Sequence, residues 1–137
     1  MNLDNLKLEI DNIKDKTNEL SQLVSLFEKV IIIGNGGSNA MASHISVDYT
    51  KFLKKKSFSF SDAPMLTAYI NDYGRDNAYK QFLVDFVDGN TLVILISSSG
   101  NSMNVVNAAQ WCEDNNIPYA VLSGFSPNNK LNQMDAN

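Results

Sequence analysis

Apolar and polar positions along this chain change period several times, and each change marks an element. Leu3, Leu6, Ile10, Ile13, Leu20, Val24 and Phe27 recur alternately three and four apart, with Thr17 the polar member of the seam. That spacing predicts a helix over residues 3–29. Leu8, Leu23 and Leu26 widen the apolar stripe, giving more surface than one sheet face needs. The surplus reads as a dimer or tetramer interface; the alternative is a helix lying wholly on its own domain. Val30-Ile31-Ile32-Ile33 then forms a run of β-branched residues, the mark of a strand buried on both faces in a parallel sheet.

Further along, a strand over Ser57–Ser61 is predicted by period-two alternation, and apolar strands over Thr91–Ile96 and Tyr119–Leu122 by continuous hydrophobic runs. Between them lie helices reaching to about Leu53, over Met65–Ile70, over Ala78–Val87 and through Val105, Val106, Ala109 and Cys112. Asn71 to Asp76 reads as a polar turn, and Ser126-Pro127 as the cap of a last short helix with Pro at its first position. Alternating strands and helices define an α/β fold with a parallel sheet.

Two of the strands end in turns suited to an anion. Gly34-Asn35-Gly36-Gly37-Ser38 follows the first, with Ser38 a good N-cap for a helix carrying Met41 and Ile45 on one face. Glycine lets the backbone approach a ligand closely, and a helix N-terminus directs free N–H groups and the positive dipole end toward negative charge. An ordinary tight β–α turn is the alternative. The second strand runs into Ser97-Ser98-Ser99-Gly100-Asn101-Ser102, so strand, small-residue turn and helix occur twice. Two such turns at the carboxyl ends of parallel strands can converge on one anion, one with N–H groups and the other with hydroxyls. No nucleotide cofactor is expected: no Lys follows Gly37 as a P-loop requires, and Asn39 stands where the dinucleotide fingerprint has its third Gly. His44 and Asp48, four apart, share a helix face.

Composition narrows the class. The 137 residues suffice for one domain, 1–137, with residues 1–29 as the helix and 30–137 as the α/β core. A net charge of −4 argues against nucleic acid as the main partner. The basic run Lys54-Lys55-Lys56 reads as a solvated helix end. No stretch has the roughly 20 apolar residues of a membrane span. The single Cys112 rules out an internal disulfide and fits the cytoplasm; with Trp111 it reads as a packing residue. An alternating βαβ pattern would add another strand after Asn137.

Taken together, Gly-Asn-Gly-Gly-Ser at 34–38, His44, Asn71-Asp72-Tyr73-Gly74 and Ser97-Ser98-Ser99-Gly100-Asn101-Ser102 resemble the sugar isomerase (SIS) domain family, and most closely its phosphoheptose isomerase branch. The resemblance covers nearly the whole chain. It implies a flavodoxin-like parallel sheet sandwiched by helices, assembling as a homotetramer through helices that include the first. It also implies interconversion of sedoheptulose 7-phosphate and a heptose 7-phosphate for lipopolysaccharide or capsule synthesis. By motif, Ser97, Ser98, Ser99 and Ser102 would hold the sugar phosphate, and Asn35, Gly36, Gly37, Ser38, Asn71 and Asp72 would line the sugar. His44 matches a position that can bind zinc. Asp48 stands where the isomerases carry a Glu that serves as acid/base and metal ligand, so the catalytic pair would be Asp48 and His44, with zinc as the possible metal. The family's remaining Gln and His ligands lie on a final helix outside these 137 residues, and little turnover is expected from them alone. The alternative is a non-catalytic relative that binds sugar phosphate or associates with a replication initiator.

Overall fold

A computed structural model describes residues 3–124 and 126–134. Its helices are α1 (Leu3–Ser25), α2 (Gly37–Leu53), α3 (Ala63–Tyr73), α4 (Ala78–Phe86) and α5 (Met103–Asp114), with a short 3₁₀ helix at Leu131–Gln133. Its strands are β1 (Lys29–Gly34), β2 (Lys56–Ser59), β3 (Thr91–Ser97) and β4 (Tyr119–Ser123). They form one parallel sheet in the order β2-β1-β3-β4.

Parallel strands need crossovers, and the crossover helices cover both faces of the sheet, which is why β1 is apolar over Val30–Ile33 and β3 over Leu92–Ile96. One face carries Val30, Ile32, Leu92, Ile94 and Ile96, packed with Val24 of α1 and Ala42 of α2. The other carries Ile31, Ile33, Val93 and Leu95 beneath Phe82 and Leu83 of α4 and Val105, Ala109 and Cys112 of α5. Burial pushes the Cys112 thiol up to about 12, so it is an unreactive packing residue. Phe60 stacks on Phe82 at 4.1 Å between centroids, and α3 is joined to α4 by Tyr69 donating to Asp85 Oδ2 at 2.6 Å.

The flavodoxin-like sandwich is as expected, with several differences of boundary. The first helix stops at Ser25, and Lys29 already pairs with Lys56 and Thr91 in the sheet. The seam divides: Leu20, Val24 and Phe27 pack on the domain's own core, whereas Leu3, Leu6, Leu8, Ile10 and Ile13 are exposed. Lys55 is more than a solvated helix end, since its Nζ donates to the carbonyls of Ser25 and Phe27, at 3.1 and 2.6 Å, and so ties down the end of α1. The helix predicted over Met65–Ile70 extends in both directions, because Asp62 Oδ1 accepts the Met65 N–H at 2.9 Å and Gly74 closes the far end. Asn71, Asp72 and Tyr73 therefore belong to the last turn of α3 and not to a connector. Ser126-Pro127 does not cap a helix; residues 127–130 form a turn, and only Leu131–Gln133 are helical.

Candidate functional site

The two turns lie side by side because β1 and β3 are neighbours and Gly34 pairs with Ile96. The approach is close at Gly34: a Cβ there would lie 2.7 Å from Ser38 Cβ and 3.1 Å from the Ile96 carbonyl oxygen. At Gly36 the chain takes φ 53°, a left-handed conformation that favours glycine. This places the cap at Gly36 and starts the helix at Gly37, so Ser38, predicted to be the N-cap, sits inside the first turn. Ser38 N–H donates to the Asn35 carbonyl and Asn39 N–H to that of Gly36, both at 3.0 Å. Among the described residues no acceptor takes the N–H of Gly36 or Gly37. They are open donors at the positive end of α2, the arrangement that holds anions.

The serine turn meets them from β3. Ser97 is buried and donates to Ser102 Oγ at 3.4 Å, while Ser98 and Ser99 are exposed. Gly100, at φ 64°, turns the chain, and Ser102 stands at the N-terminus of α5. Residues 126–134 back this turn: Leu131 N–H donates to the Gly100 carbonyl and Lys130 N–H to Asn101 Oδ1, both at 3.1 Å.

A largely buried polar network ties the glycine turn to the first turn of α5 and to α4. Asn35 and Asn104 exchange two hydrogen bonds, Asn104 Nδ2 to Asn35 Oδ1 at 2.8 Å and Asn35 Nδ2 to Asn104 Oδ1 at 3.0 Å. Tyr79 donates its hydroxyl toward the Gly34 carbonyl at 2.8 Å and Asn35 Oδ1 at 2.9 Å. Burial raises the Tyr79 phenol above its ordinary value, against a lowering by Arg75, so it keeps its proton. Sequence reasoning found Asn35 and missed its two partners. A signal existed for Asn104, a polar residue four before Ala108 on the buried stripe of α5. None existed for Tyr79, whose spacing with Phe82 and Leu83 reads only as core.

The other predicted site residues make no hydrogen bond to the two turns among the described residues. His44 Nε2 and Asp48 Oδ2 are 3.6 Å apart on α2, as their spacing requires, with side chains 81% and 46% exposed. Asn71 and Asp72 are exposed at the end of α3, where Asn71 Nδ2 donates to Asp72 Oδ1 at 3.0 Å. Zinc prefers about four ligands. No group of three or more His, Cys, Asp or Glu that could hold a metal lies together among the described residues. His44 and Asp48 alone do not fit that ion.

The fold, the paired turns and the amides beside them define a parallel α/β domain with an anion-suited site at its strand ends. The SIS domain family profile matches residues 3–124, and the chain belongs to that family. It is 32% identical over 123 residues to the phosphoheptose isomerase of Buchnera aphidicola subsp. Acyrthosiphon pisum, covering 86% of this chain and 64% of that protein. It is 36% identical over 126 residues to that of Sulfurimonas denitrificans, covering 85% and 65%. The chain thus spans about two thirds of the length of these curated relatives. Among solved structures, phosphoheptose isomerase from Neisseria gonorrhoeae superposes with a TM-score of 0.84 at 27% identity, covering 93% of this chain and 72% of that one. The Vibrio vulnificus NanR protein complexed with ManNAc-6P shares the fold, with a TM-score of 0.61 at 18% identity, covering 85% and 38%.

Proposed function

We propose that this chain binds a sugar phosphate of the sedoheptulose 7-phosphate class and takes part in its aldose–ketose isomerisation, a reading supported by relatives named phosphoheptose isomerase. The observation that carries the reading is the convergence of the open N–H groups of Gly36 and Gly37 with the serine turn at neighbouring strand ends. Ser97, Ser98, Ser99 and Ser102 would hold the phosphate, and Asn35, Gly36, Gly37 and Ser38 the sugar. Asn71 and Asp72, at the end of α3, would complete the sugar's surroundings.

Isomerisation takes a proton from the carbon beside the carbonyl, gives an enediol, and returns a proton to the former carbonyl carbon. A carboxylate that reaches both carbons suffices for the transfer, and Asp48 is the candidate, with His44 beside it to polarise or protonate oxygen. A zinc ion on His44 and Asp48 would need two further ligands, and no step is assigned to it. Leu3, Leu6, Leu8, Ile10 and Ile13 of α1, with Met41, Val47 and Phe52 of α2, leave apolar surface that suits a dimer or tetramer. Among the described residues no helix is long and apolar enough to cross a membrane. The single Cys112 suits a reducing cytoplasm, and the product would serve lipopolysaccharide or capsule heptose synthesis.

A second reading, binding without turnover, is favoured by the exposure of the His44–Asp48 pair and by Asp48 itself, one methylene shorter than Glu. Errors of about 1 Å cost on the order of 100-fold in positioned chemistry. Turnover of sedoheptulose 7-phosphate should fall about 100-fold in Asp48→Asn, with binding retained. Tight binding by the wild type with no turnover would favour the second reading instead.

A further inference from the structure

We infer that Tyr79 is a positioning residue for the sugar subsite, fixing through its hydroxyl the side-chain amide of Asn35. The inference rests on the sugar-phosphate reading above and adds to it a residue that touches no ligand. The orientation of the network is dictated from one end. Val105 N–H, a donor that cannot reverse, is shared between the Ser102 carbonyl and Asn104 Oδ1, both at 3.0 Å. That makes the opposite atom of Asn104 the Nδ2 that donates to Asn35 Oδ1, and leaves Asn104 Oδ1 to accept from Asn35 Nδ2. Asn35 Oδ1 must then be an acceptor toward Tyr79, whose one proton is shared between it and the Gly34 carbonyl.

The count of donors follows. Asn35 Oδ1 receives two hydrogen bonds and Asn35 Nδ2 gives one, so one N–H of the amide remains. Asn35 is half-buried, at the mouth of the glycine turn, while Tyr79 and Asn104 are 4% and 5% exposed. A ligand oxygen can therefore reach Asn35 but not the groups that hold it. Rotating the amide would set Asn35 Nδ2 against Asn104 Nδ2, two donors face to face in a buried place, which is costly. The same hydroxyl restrains the Gly34 carbonyl, so the start of the glycine turn and its amide side chain are fixed together. Serine hydroxyls at 97–102 lie outside this network, so it separates recognition of the sugar from recognition of the phosphate.

Tyr79→Phe removes the hydroxyl and keeps the ring that packs at 5.8 Å from Phe60. Two readouts on the folded protein test the inference: solvent exchange of the Asn35 side-chain amide protons by NMR without ligand, and calorimetric affinity for sedoheptulose 7-phosphate and for inorganic phosphate. The expected result is amide exchange about tenfold faster and sedoheptulose 7-phosphate affinity about tenfold weaker, with inorganic phosphate affinity unchanged. Unchanged amide exchange, or equal losses for both anions as a merely structural role would give, overturns it. A wild type that binds no sedoheptulose 7-phosphate counts against the functional reading, and amide exchange then decides the orienting role alone. Should Tyr79→Phe fail to fold, the wild type decides: a Tyr79 hydroxyl proton protected from solvent exchange and close to the Asn35 side chain by NMR is expected, and a freely exchanging hydroxyl overturns the inference.

Discussion

Gly100 and Asn129 are packed so closely that a Cβ on Gly100 would lie 2.1 Å from Asn129 Cγ and Oδ1. Asn129 has little room to yield. It is 2% exposed, its Nδ2 donates to Ser123 Oγ and the Ser126 carbonyl, and its Oδ1 accepts Asn132 N–H. Gly100 also sits at φ 64°, where a side chain is strained. The serine turn therefore owes its shape to a segment near residue 130.

Gly100→Ala should lower stability by about 2 kcal/mol or more, from backbone strain together with displacement of Asn129. Thermal unfolding measures it, and an unchanged melting temperature would contradict the packing described. The phosphate affinity of the folded fraction should fall as well, since the serine turn must move.

Acid stability should carry the signature of Asp88. Its carboxyl is held at about 2, below the ordinary 3.8, first by the hydrogen bond from Lys29, then by those from Thr91 and the Asn90 N–H. A depressed folded value contributes stability that is complete above the unfolded value and is lost as pH falls through the folded one. The window is thus from about pH 4 down to about pH 2. Because Asp88 is 60% exposed, solvent screens the pair and the effect is small. Urea midpoints measured across that window should fall less steeply for Asp88→Asn than for wild type; parallel curves would discount the pair.

The divided seam of α1 makes a prediction that the sequence pattern alone could not. Ile10→Asp with Ile13→Asp places charge on exposed positions and should dissociate an oligomer without unfolding the subunit. Leu20→Asp strikes the core beside Val24 and Ile32 and should cost several kcal/mol of stability. Light scattering and circular dichroism on both variants separate the two effects. A wild type already monomeric at micromolar concentration would remove the assembly proposal.

How much was legible in the sequence follows from where local pattern and tertiary contact agree. The runs Val30–Ile33 and Thr91–Ile96 must be buried on both faces whatever their neighbours, so the parallel sheet could be read directly. The cap at Gly36 could not, because the need for φ above zero there outweighs the capping preference of Ser38. Asn71 and Asp72 look like a turn because an exposed last helical turn is polar. Residues 127–130 look helical after Ser126-Pro127, but contacts to Gly100 and Asn101 hold them as a turn. At the site, glycines and serines announce themselves by composition; Tyr79 acts through one hydroxyl on an otherwise apolar surface and gives no such sign.

The central claim is that the glycine and serine turns form one sugar-phosphate site, and calorimetry with sedoheptulose 7-phosphate tests it most directly. Wild-type protein should bind, and the double variant Ser97→Ala/Ser99→Ala should bind at least about tenfold more weakly, two hydroxyl contacts having been removed. Equal affinity in the two proteins, or no binding by the wild type, would contradict the account.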